Sequence, residues 1–509
     1  MKIKKTYLEE RNEIEKLNGN HYPGKVLADL DSKANYNRSK TRLMPHIRAV
    51  NEAHVVMLGE QGVITKKDAA IILKAIEELN YEKYKTLEYS GKFEDLYFEQ
   101  EHEIIERTNG IGGNMHLARS RNDMCITWSH LGVRDHLLKT VEKLIHLENT
   151  VRLFAEEHKD TLYVIHTHTQ HAQPGLFGHY FLGFLDVIDR CIKRFCYAYE
   201  QTNVSPMGAA AVTTTGFPIS RERVCELLGF DSVIENAYDC IGNNDYFMSS
   251  ASAVGLCALD LGRTVTDMLL WATEEEKMII LSDAYSSTSS IMPQKRNPIA
   301  LEHLRASLSV SKGLADTVMT GFLKSPYGDI SDYEDIEDTM HEAFELLDKN
   351  IHVLNAVIAT MDVDKALLEK RAFESFSVVT EIADEMVRSY GIPFRKAHGF
   401  VSYMVKKARK CNYNLKCMNS DFYSETYEEY FKEPFNKDFT PIKACINPRN
   451  FVVKREIIGG TGPKAMEKQL ISAKEKVQKN VKWMEGVQEN LENAEKLRVR
   501  AVDKVIERG

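Results

Sequence analysis

Between residues 122 and 364 the chain runs in long apolar-periodic stretches that helix breakers seldom interrupt, and this limits the possible fold more than any other feature. Glycine and proline together make up 41 of the 509 residues, below their usual combined share of about 12%. The periodicity predicts helices over residues 123–160, 174–201, 244–276, 299–324 and 338–362. Several exceed the common helix length of roughly 8–20 residues, so one long helical bundle is expected rather than a layered α/β domain. Only residues 163–165 and short pieces such as Phe451–Val453 read as strand. The first twenty-odd residues read as polar and irregular, helical pattern begins near Lys40, and a capped helix is expected after Thr65, with Asp68 at its third position.

Composition sets the remaining bounds. The formal net charge is −8, which argues against a general nucleic-acid partner. Nine cysteines lie scattered without a Cys-x-x-Cys pair, a pattern of reduced thiols in a cytoplasmic compartment. The charged start, Met1 to Thr6, leads into no apolar signal core, and no stretch reaches membrane-spanning length. The expected domains are residues 1–115 (helical), 116–364 (long bundle) and 365–509 (shorter helices closing on a charged helix from Lys464).

Three segments carry chemistry, each at an expected helix start. In His116-Leu117-Ala118-Arg119-Ser120-Arg121-Asn122-Asp123, Asn122 or Asp123 can cap a helix, and arginines beside a helix N-terminus can grip a carboxylate. In His166-Thr167-His168-Thr169-Gln170-His171-Ala172-Gln173-Pro174, Pro174 suits a first helical turn. Its three histidines read as proton carriers, structural histidines or metal ligands. The metal reading needs a strand barrel that the chain does not offer. The third segment runs from Ser286 through five consecutive hydroxyl residues to Lys295-Arg296-Asn297-Pro298. A hydroxyl next to fixed cations suits proton removal from carbon beside a carboxylate, because the charge created can be caught. Asn297 is expected as cap and Pro298 as first residue of a helix carrying Glu302 in its first turns. Three anion-friendly helix ends point to a dicarboxylate substrate.

These segments resemble the three signature regions of the fumarase/aspartase superfamily, and within it the argininosuccinate lyase branch. The matching residues are Arg119 to Asp123, Thr167-His168 through Gln173-Pro174, and Asp283 through Pro298. Phe217 to Arg223, Gly391 to His398 and Gly459-Gly460-Thr461 extend the likeness over nearly the whole chain. The resemblance implies an all-α, three-domain fold with a long central bundle. It also implies a homotetramer whose active sites are assembled from several subunits, and elimination of fumarate from an N-substituted aspartate with no metal or cofactor. Carried across, Ser289 is the base, His168 oriented by Glu302 serves the leaving group, and Lys295 stabilises charge. Ser120, Arg121, Asn122, Thr167, Ser290, Asn297 and Tyr327 would bind substrate.

The chain departs from the family pattern at three places. Thr288 stands where Gly usually precedes the serine, which is expected to restrict the loop. Asn244 occupies a position commonly held by Arg. The stretch Tyr327-Gly328-Asp329-Ile330-Ser331 lacks the family's Gln and Lys, which leaves open a lyase for another aminocarboxylate of the ethylenediamine disuccinate type. A catalytically silent structural homologue is the remaining alternative.

Overall fold

The computed structural model describes residues 6–19, 22–328, 331–415 and 418–509. Its centre is a bundle of five helices: α1 (Arg121–Glu157), α2 (Phe177–Thr202), α3 (Asp245–Trp271), α4 (Ile299–Gly321) and α5 (Asp332–Thr360). Each packs on the next, and α5 closes back onto α1. Their apolar stripes meet in one core that includes Leu137, Leu144, Phe181, Phe195, Val254, Leu304, Phe344 and Leu354, all at most 3% exposed. The fold is therefore the all-α bundle that the periodicity predicts.

The chain's last helix, α6 (Pro463–Arg508, 46 residues), returns along α1 and the N-terminal helices Met44–Glu60 and Lys66–Glu77. Asn480 donates to Glu148 at 3.0 Å, and Leu491 and Ala494 meet Gly229 beside Arg134, so α6 runs antiparallel to α1. Residues 378–451 hold a separate, aromatic-rich core around Phe400, Tyr423 and Tyr427.

Local chemistry explains where the structure departs from the periodic reading. Residues Tyr7–Asn18 form a helix rather than an irregular arm, started by a capping box of Thr6 and Glu9. None of its residues is buried, so an apolar stripe could not reveal it. Phe451–Val453 ends the helix Pro448–Val453, capped by Asn447 with Pro448 in its first turn, and is not strand. Thr65 and Asp68 start Lys66–Glu77 as expected. Among the described residues, no helix is long and apolar enough to cross a membrane.

Candidate active site

The first signature segment enters α1 through a capping box. The Ser120 hydroxyl accepts from the Asn122 amide at 3.3 Å, and the Ser120 amide donates to Asp123 at 2.9 Å. Ser120, rather than Asn122 or Asp123, is the cap. Asp123 instead lies fully buried and uses its other oxygen to accept from the Gly208 and Ala210 amides, each at 2.9 Å. Burial pushes its carboxyl up to about 6, against the pull of those amides. Asp123 thus ties the 208–210 turn to the start of α1, while Asn122 stays at the surface and reaches Ala211 O.

The two arginines turn inward. Arg119 donates to Asn51 at 2.8 Å and to the Tyr97 hydroxyl at 3.1 Å. Arg121 pairs with Asp95 at 2.6 Å, stacks over Phe98 and remains one-fifth exposed. Burial opposes the Arg121 charge, but Cys125 and Asp95 outweigh it and hold the guanidinium ionised. Asp95, which no sequence motif marks, is the N-cap of Leu96–Arg107 and the anchor of Arg121.

The second segment is a β-hairpin. Strands β1 (Leu162–Thr167) and β2 (Gln170–Leu176) pair antiparallel, with Leu162 opposite Leu176 and Thr167 opposite Gln170. The two-residue turn is His168-Thr169, at φ 49° and 59°, the conformation that matches strand twist in a tight hairpin. His168 therefore sits at the tip, exposed. Pro174 does not open a helix: it sits in β2 opposite Val164, and α2 begins at Phe177. A two-stranded sheet has free edges on both sides, so a residue without an amide hydrogen costs no ladder bond there. His166 and His171 stack edge to face at 5.0 Å, and burial together with the second imidazole lowers His166. The three imidazoles do not converge. Among the described residues, the one close group of three metal-type ligands is Glu381, Glu385 and Cys445, whose carboxylates are paired with Arg388, Lys454 and Arg455.

The third segment is a loop closed at its base by strands β3 (Ser287–Thr288) and β4 (Arg296–Asn297). The Ser289 hydroxyl accepts from the amides of Ile291 at 3.2 Å and Met292 at 3.1 Å. Two donors at one hydroxyl oxygen favour its ionised form, the state that a serine base requires. Thr288 lies in the extended ladder opposite Arg296, a geometry that suits a β-branched residue, so the expected restriction acts at the loop's base rather than its tip. Asn297 is also in the ladder, donating to Ser287, and does not cap α4; Pro298 occupies the cap position and Ile299 starts the helix. Ser290, Lys295 and Glu302 are exposed.

Tyr327 donates to Asp239 at 2.6 Å, and its carbonyl accepts from Tyr238. Its neighbours Asp329 and Ile330 lie outside the described residues. Among the described residues, no hydrogen bond or ion pair joins any two of the three signature segments within one chain.

Comparison with known proteins decides the family. A lyase family model matches residues 33–311, and an argininosuccinate lyase C-terminal model matches residues 376–452. A protein named argininosuccinate lyase from Methanocaldococcus jannaschii is 34% identical over 447 residues, covering 88% of this chain and 90% of the relative. This chain belongs to the argininosuccinate lyase family. The argininosuccinate lyase of Methanosphaera stadtmanae is 32% identical, covering 82% of this chain and 90% of that one. Among solved structures, EDDS lyase in complex with formate superposes with a TM-score of 0.84 at 27% identity, over 92% of this chain and 93% of that chain. A class II fumarase from Schistosoma mansoni, at 16% identity with a TM-score of 0.66 over 83% of this chain and 92% of that chain, shares the fold. As a member of the argininosuccinate lyase family, the chain is a carbon–nitrogen lyase.

Proposed function

We propose that this protein eliminates fumarate from argininosuccinate and releases arginine, with a place in arginine biosynthesis. The observation that carries the chemistry is the Ser289 hydroxyl held by two backbone amides on the loop that also presents Lys295. In this reading Ser289 removes a proton from the succinyl carbon beside one carboxylate, leaving a doubly charged intermediate. The C–N bond then breaks on the opposite face, the C=C bond of fumarate forms, and His168, oriented by Glu302, delivers a proton to the leaving nitrogen. Lys295, Asn297, Ser290, Thr167, Ser120, Arg121 and Asn122 hold the carboxylates. One such contact typically contributes about 3 kcal/mol to the transition state.

The catalytic roles need groups that one chain keeps apart, and His168, Lys295 and Glu302 all face solvent. This supports a homotetramer whose sites draw one segment from each of several subunits; the scattered cysteines without a Cys-x-x-Cys pair fit a cytoplasmic protein, and the domain division proposed is 1–115, 116–364 and 365–509. A second reading, cleavage of another N-substituted aspartate, is favoured by the altered stretch after Tyr327 and by the structural match to EDDS lyase. Incubation with argininosuccinate and with a panel of N-substituted aspartates, followed by fumarate absorbance and identification of the amine, separates the two. Fumarate released from argininosuccinate supports the first reading. Release from another panel member alone supports the second, and silence with all of them overturns both.

A further inference from the structure

A cavity of about 570 Å³ lies on the far side of the β1–β2 hairpin from its His168 tip, between the end of α1, the helix Pro448–Val453 and the start of α6. No signature residue lines it. Its floor is apolar: Leu162, Leu176, Val452, Met466 and Leu470. Its two ends carry opposite charge, as the antiparallel register of α1 and α6 shows. Asn480 faces Glu148, so Lys474 lies level with the α1 turn holding Arg152 and Glu156, while Glu467 lies level with Lys159 and Asp160.

The pairing pattern sharpens that polarity. Arg152 is matched by Glu156 at 3.1 Å, so among the described residues Lys474 remains as the unpaired cation of the inner end. At the outer end Arg449 is matched by Glu369 at 2.7 Å. Asp160, Glu467 and Lys159 have no ion pair among the described residues, which leaves that end one negative charge in excess. Lys474 and Glu467 are seven residues apart on one helix face, roughly 10 Å at 1.5 Å per residue. The cavity therefore offers a cation, an apolar channel and an anion in line.

We propose that this cavity is a second binding site, for an aliphatic amino acid with a cationic end group. The ligand's carboxylate meets Lys474, its methylene stem lies on Leu162, Leu176 and Leu470, and its cationic end meets Asp160 and Glu467. L-arginine, roughly 8 Å from carboxylate to guanidinium by its bond lengths, fits this span and serves as the probe. Leu162 and Leu176 are the paired base of the hairpin that carries His168, so an occupant braces the hairpin and acts on turnover rather than on substrate affinity. That regulatory consequence rests on the proposed function; the binding does not.

Equilibrium dialysis of the full-length protein against L-arginine tests the site without using turnover. Wild type should show a weak class of sites, in roughly the 0.1–1 mM range expected of rim-exposed pairs. Lys474→Glu should weaken that class about three- to tenfold, Leu470→Trp should remove it by filling the channel, and L-citrulline, neutral at its far end, should not occupy it. Lys474 is a surface residue, so its variant keeps the test valid if Leu470→Trp fails to fold. The proposal is overturned if wild type lacks the class, if both variants keep it unchanged, or if citrulline fills it equally. A protein that binds arginine in this way yet never cleaves argininosuccinate would refute the proposed reaction and leave the site standing.

Discussion

A serine hydroxyl is a poor base in water, and what Ser289 gains from its surroundings is local: two amide hydrogens aimed at its oxygen from the same loop turn. Removing that oxygen should remove proton abstraction while leaving the carboxylate contacts in place. Ser289→Ala is expected to lower turnover by about 10³-fold or more, with the dissociation constant for argininosuccinate nearly unchanged by calorimetry. A variant retaining near-normal turnover would show that another group is the base. Arg121 depends on its partner in a different way. The Asp95 carboxylate is buried, and Asp95→Asn leaves the Arg121 guanidinium with only the longer contact to Glu94 at 3.9 Å. Urea unfolding should show a loss of about 3 kcal/mol, accompanied by a raised KM because Ser120 and Asn122 flank Arg121. An unchanged KM in that variant would place Arg121 outside substrate binding.

Among the elements, the β1–β2 hairpin is where stability and catalysis compete. Both turn residues, His168 and Thr169, adopt positive φ, and for the β-branched Thr169 this conformation is strained. The gain is placement: a two-residue turn fixes the backbone that carries the imidazole at the tip. Thr169→Gly should relieve the strain and stabilise the protein by about 0.5–1 kcal/mol, read as a rise in Tm with turnover equal to or below wild type. A fall in Tm would mean that the threonine side chain is held by contacts formed on assembly. The Ser286–Pro298 loop works by another device, a two-rung ladder at its base with an exposed tip, where Ile291 is 85% exposed. The apolar tip residues gain from closing over a substrate, which would also exclude water.

At the scale of the whole molecule, long helices bury titratable groups whose pH dependences run in opposite directions. His130 is buried, bonded to the Thr202 carbonyl at 2.8 Å and stacked on Tyr246, and burial pushes it down to about 4. A depressed histidine adds stability above its unfolded value of 6.5, and that stability drains as pH falls from 6.5 toward 4, worth about 3 kcal/mol for this group. Glu148 has the opposite sign: burial raises it to about 7, so its contribution is full below 4.5 and is lost as pH rises toward 7. Denaturation across pH should therefore show a loss of stability below pH 6 that His130→Gln reduces, together with a gain near pH 7 in Glu148→Gln. Equal pH profiles for wild type and both variants would contradict these assignments. Assembly gives a further test. Mixing inactive Ser289→Ala with inactive His168→Asn subunits, after mild unfolding and refolding, should restore measurable turnover, because mixed tetramers contain some sites with both groups intact. No recovery would argue that each site is built within one chain.

The sequence by itself determined the family, the five bundle helices and the three chemical segments, because helical periodicity and short motifs are local properties that survive without coordinates. It misplaced what depends on competition between neighbours. Pro174, Asn297 and Phe451–Val453 carry propensities that fit two elements, and pairing with Val164, Ser287 and a cap at Asn447 chose between them. Only the tertiary structure decided that Arg121 faces Asp95, that Asp123 is buried against the 208–210 turn, and that α6 folds back along α1 to enclose a polarised cavity. These outcomes join residues 26 to more than 300 positions apart, and desolvation and packing across such separations leave no periodic trace in the chain.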